Sequence, residues 1–97
     1  QLADFDRMIA ILEKSGQFIL TGDLNAPRGK EAFAKLAAKY KDNIPEQYVT
    51  SLDQDLHRVK GLQWMVDGLF TTSSYSAKNV RLISGVSDHM AIVADVE

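Results

Sequence analysis

Apolar residues at Phe5, Met8, Ile9 and Leu12 follow the i, i+3, i+4, i+7 spacing of one helical face. Asp4 is placed to cap the start of that helix and Gly16 to end it. Gln17 to Thr21 then reads as a short strand, apolar at consecutive positions and therefore expected to be covered on both faces. Phe33, Leu36, Ala37 and Tyr40 restore the helical spacing on an Ala- and Lys-rich segment. Its companions Lys30, Glu31, Lys35, Lys39 and Lys41 read as a solvated face. Asp42 to Leu56 is polar and mixed, contains Pro45, and reads mostly as loop, with Tyr48-Val49-Thr50 as a brief strand within it. Three further strands are predicted, Gln63 to Phe70, Val80 to Ile83 and His89 to Val96. The last is nearly continuous in Ala, Ile, Met and Val, which predicts burial on both faces. Thr71 to Lys78 is a Ser/Thr-rich connection between them.

Helix, strand, helix and then several strands predict an α/β or α+β domain built as a layered helix/sheet sandwich. A chain of 97 residues, 45% hydrophobic and 25% charged, suits one such domain over 1–97. The net charge of -2 gives no general pull towards nucleic acid. It leaves open an enzyme acting on phosphates, because a metal ion can supply positive charge. No cysteine is present, which excludes thiol catalysis, thiolate metal sites and disulfides. No apolar run approaches the roughly 20 residues needed to span a bilayer. Residue 1 is Gln, so translation is expected to start upstream.

The stretch "ILTGDLNAPRG" (19–29) carries the first candidate chemistry. Asp23 and Asn25 are two apart, so in an extended segment both side chains face one site. Turn formation alone would also explain an Asp-Leu-Asn-Ala-Pro run. Known phosphate and calcium loops do not fit it. Gly22 and Gly29 are separated by six residues rather than the four of a P-loop, and Glu31 follows Lys30. An EF-hand starting at Asp23 would place Pro27 and Arg28 where a ligand and a glycine belong. Further on, Gly85-Val86-Ser87-Asp88-His89 misses the Gly-x-Ser-x-Gly elbow at its fifth position, which leaves Ser87 a weak nucleophile.

Asp67 interrupts the apolar run "WMVDGLF", and a carboxylate in such a place needs a partner. Histidine is a natural one, since the accepted hydrogen bond fixes its tautomer and favours its charged form. The chain has two histidines, and His89, beside the last strand, is a better placed partner than His57 in a polar loop.

Gly22-Asp23-Leu24-Asn25, then Asp67 late in a strand, then Ser87-Asp88-His89 together resemble the endonuclease/exonuclease/phosphatase family. Its members include deoxyribonuclease I-like nucleases, sphingomyelinases and inositol-polyphosphate phosphatases. The likeness runs from the first helix to the last residue and corresponds to the carboxyl-terminal portion of that family's four-layer domain. It implies metal-dependent hydrolysis of phosphate esters, chiefly phosphodiesters, by water attack at phosphorus. Asp23 then resembles the carboxylate that orients or deprotonates the water, and Asn25 the amide that holds a non-bridging oxygen. Asp88 resembles the carboxylate near a Mg²⁺ or Mn²⁺ ion. His89 resembles the histidine that contacts the phosphate, with Asp67 behind it.

The chain departs from the family before Asp23, where no asparagine or metal-binding glutamate matches; Asp4, Asp6 and Glu13 fall on the first helix. The resemblance therefore implies a partial site, a poor catalyst in isolation, and an apolar sheet face to be covered. That cover would be helices of this chain, a second copy as a homodimer, or the family's amino-terminal half. His57-Arg58 and Trp64 are candidates to line a substrate channel, with loop and core roles as competing readings. The alternative function is a non-catalytic half-domain acting as a binding or assembly module. A third reading, coincidental motifs on a small α/β domain, predicts that Asp23, Asp67 and His89 lie far apart.

Overall fold

The computed structural model describes residues 2–24 and 28–97. Helices α1 (Leu2–Glu13) and α2 (Glu31–Lys39) flank β1 (Ile19–Asp23) in sequence, and β2 (Lys41–Asp42), β3 (Asp67–Thr71), β4 (Ala77–Ile83) and β5 (Ala91–Val96) follow. The strands form two small antiparallel sheets, β1-β3-β2 and β4-β5, so the class is α+β.

Successive residues on a strand face opposite ways, and β3 uses both directions. Phe70 points to the helices, where it joins Ile9, Phe33 and Leu36 in one core cluster. The Phe33 and Phe70 rings sit 5.3 Å apart. Leu69 points the other way and packs with Ile44 and Met65 against Val80, Leu82 and Ile92 of the second sheet. The layers therefore run helix, sheet, sheet, and every residue of β3 is buried. In α2, Glu31 in the first turn and Lys39 in the last complement the helix dipole. Lys35–Asp6 at 2.7 Å and Lys39–Glu13 at 3.2 Å link the helices at the surface, where such pairs contribute little.

Several expectations need correction. Helix α1 begins at Leu2, so Asp4 lies inside the helix and does not precede it. Gly16 does adopt the left-handed conformation, φ 73°, shortly after the helix. β1 is largely exposed: it pairs only with β3 among the described strands, and one layer of helix does not enclose it. β5 is half-buried at best, because β4-β5 has a core on one face only. Gln63 to Val66 is not strand, since its backbone bonds loops instead of a ladder: Trp64 O accepts from Ser51, Met65 O from Arg28 and Val66 O from Leu24. Tyr48–Thr50 is not strand either. β4 starts at Ala77, and its register shifts between Lys78 and Arg81, where Asn79 takes φ 53°. Asparagine is among the few side chains that tolerate that conformation.

Candidate functional site

Antiparallel pairing of β1 with β3 sets Asp23 directly opposite Asp67. Like charges in that position repel, so the pair needs compensation. His89 supplies it. Its Nδ1 lies 2.7 Å from Asp67 Oδ2 and its Nε2 lies 3.7 Å from Asp23 Oδ2. Because a carboxylate can only accept, the short contact puts a proton on Nδ1. The His89 pKa is raised above 6.5, first by the hydrogen bond to Asp67 and then by the charges of Asp67, Asp23 and Asp88; burial opposes them. His89 is thus held towards its cationic form between two carboxylates on neighbouring strands.

Two residues of the long connection between β2 and β3 hold this arrangement in place. Ser51 is fully buried, and its Oγ accepts from the backbone N–H groups of Val66 and Asp67, both at 3.1 Å. Asp53, also buried, accepts from the N–H groups of Asp55 and Leu56 at 2.9 Å and of Gly85 at 2.6 Å. These bonds, Gly85 first, lower its pKa below 3.8, with help from the Lys60 charge and against the cost of burial. The Asp53 N–H donates to Asp88 O, and the Met90 N–H donates to Ser51 O. Residues 51–53 therefore grip both ends of the turn that presents His89. The Asp55 and Leu56 bonds follow the local Asx-turn pattern and could have been read from sequence. The bonds to Gly85, Val66 and Asp67 could not.

The structure brings Asp23, Asp67 and His89 together, so the wide separation expected of unrelated motifs is not found. Asn25 lies outside the described residues. Asp88 is exposed, and its carboxylate is not part of the three-residue group, although its charge acts on His89. The Ser87 hydroxyl accepts from the His89 N–H at 3.2 Å, which gives it a role in the turn. His57, Arg58 and Trp64 line a cavity of about 280 Å³ whose lining also includes Asp23 and His89.

Ligand atoms of Asp23, Asp67 and His89 all lie within 4.8 Å of one another, so the group could hold a metal ion. Two carboxylates suit a hard ion such as Mg²⁺ or Mn²⁺, and His89 could join them as a ligand only in its neutral form, through an unprotonated Nε2. The donors fit a divalent cation without selecting one. No helix is long and apolar enough to cross a membrane among the described residues. Comparison with protein-family models, with curated proteins and with solved structures returns no match for this chain.

Proposed function

We propose that Asp23, Asp67 and His89 form the working part of a centre for metal-dependent hydrolysis of phosphate esters, phosphodiesters first among them. One observation carries the reading: a single imidazole held between two carboxylates that face each other across paired strands. Asp23 accepts the proton of a water aligned for attack at phosphorus. His89, whose charged form Asp67 favours, donates through Nε2 to a non-bridging oxygen as charge develops there. The P–O bond to the leaving alcohol breaks, and the alkoxide takes its proton from solvent. A bound Mg²⁺ or Mn²⁺ ion would add positive charge at the phosphate oxygens. The family resemblance adds Asn25 as a second phosphate contact and Asp88 as a carboxylate near the ion.

The test is hydrolysis of bis(p-nitrophenyl) phosphate by the protein expressed from its complete reading frame, with Mg²⁺ or Mn²⁺ and with chelator. Activity should require the ion and fall by about 10²–10³ in His89→Ala, the usual cost of one preorganised donor. Asp23→Asn should abolish it to a similar degree. Turnover that ignores both substitutions would overturn the proposal.

A further inference from the structure

A phosphate held by His89 would place its ester substituent in the adjoining cavity, and the walls of that cavity are chemically selective. Beyond Asp23 and His89 it is lined by His57, Arg58, Leu62 and Trp64, among others. At about 280 Å³ it is at the small end of ligand pockets, with room for one ring system. Trp64 is the only tryptophan in the chain and is 51% exposed. Its backbone is nevertheless fixed, because Trp64 O accepts from the Ser51 N–H at 3.0 Å and from Thr50 Oγ1 at 3.1 Å. The indole N–H has no hydrogen-bond partner among the described residues. An aromatic face is thus presented to solvent from an anchored backbone.

The rim opposite in sequence is anchored as well. Gln54 Nε2 donates to both Leu52 O and Leu62 O at 3.0 Å, and Lys60 Nζ donates to Asp55 O. His57 Nδ1 lies 3.1 Å from Val59 N and 3.3 Å from Val59 O, which ties the ring to its own turn. Arg58 is exposed and makes no hydrogen bond or ion pair among the described residues. Arg58 and the indole N–H of Trp64 offer donors only, set around an indole face and the aliphatic Leu62.

We propose that this cavity is a seat for a nucleobase, which makes nucleotides the ligand class of the His89 centre. The inference rests on the phosphate-ester reading above. A flat ring stacks on the indole, and its acceptor edge meets the donors. A quaternary ammonium headgroup would also favour an indole face, but Arg58 repels a cation there. A polyol phosphate offers no flat apolar surface to Trp64 and Leu62.

Two probes separate this seat from the phosphate site in the complete protein with Mg²⁺: Trp64 fluorescence, and the NMR signals of His89 with His57 assigned alongside. Adenosine 5′-monophosphate should quench Trp64 and shift His89 with the same Kd. It should bind roughly five- to 150-fold more tightly than inorganic phosphate, the affinity that stacking of one base contributes. Trp64→Ala should bind the nucleotide no more tightly than inorganic phosphate, whereas Trp64→Phe, which keeps an aromatic face, should retain a preference. Equal affinity for nucleotide and inorganic phosphate would overturn the seat and leave the phosphate reading standing. Phosphocholine or inositol 1-phosphate quenching Trp64 as strongly as the nucleotide would overturn it too. If inorganic phosphate leaves His89 unmoved, the phosphate reading fails, and quenching by adenosine alone then decides whether the base seat survives.

Discussion

Replacing Ser51 by alanine should destabilise the domain far more than loss of one small hydroxyl suggests. The side chain is fully buried, and its Oγ is the acceptor for two neighbouring amides, Val66 N–H and Asp67 N–H. Both donor residues are themselves buried, so water cannot readily replace the lost oxygen. A buried donor left unsatisfied costs about 1–3 kcal/mol. Two such donors with partial relaxation give about 2–4 kcal/mol, once shared geometry is allowed for. A domain of this size has only about 5–15 kcal/mol in total. The corresponding fall in Tm is roughly 10–25 °C. Urea unfolding followed by far-UV circular dichroism measures it, with Ser73→Ala, an exposed serine, as a control expected within about 0.5 kcal/mol of the parent. Ser51→Ala matching that control would refute the claim that this hydroxyl holds the strand end bearing Asp67.

Gly68→Ala should cost about 1–3 kcal/mol by the same assay, because its Cβ would come 2.8 Å from the Phe70 ring and 2.9 Å from Leu24 Cδ1. Stability should also depend on pH through two groups of opposite sign. The raised pKa of His89 gives stability that is complete below 6.5 and is lost as pH rises through the folded-state value. The lowered pKa of Asp53 gives stability present above 3.8 and lost as pH falls through its folded-state value. Unfolding free energies measured from mildly acidic to mildly alkaline pH should therefore decline on the alkaline side, and Asp67→Asn should flatten that decline.

The helices were legible because each buries one stripe: Phe33 and Leu36 mark α2, as Ile9 marks α1. Burial of short apolar runs was not. Ile19–Leu20 and Ala91–Ala94 look as apolar as Leu69–Phe70, yet only β3 lies between two layers. A strand's neighbours decide its burial, and they come from far along the chain. β2 is two residues long, and its pairing with β3 leaves no periodic trace. Asp67 betrayed its partner because a carboxylate within an apolar run demands one. Ser51 and Asp53 carried no such conflict in their polar surroundings, and their decisive bonds span 15 to 32 residues.

The central claim is that Asp67 and His89 act as one unit, with Asp23 completing it. The most direct measurement is an NMR pH titration of the histidine ring signals, with His57 as the internal reference. The account predicts a His89 pKa above 6.5 that falls in Asp67→Asn and falls also, through loss of a neighbouring charge, in Asp23→Asn. A His89 value at or below 6.5, or one that Asp67→Asn leaves unchanged, would contradict it.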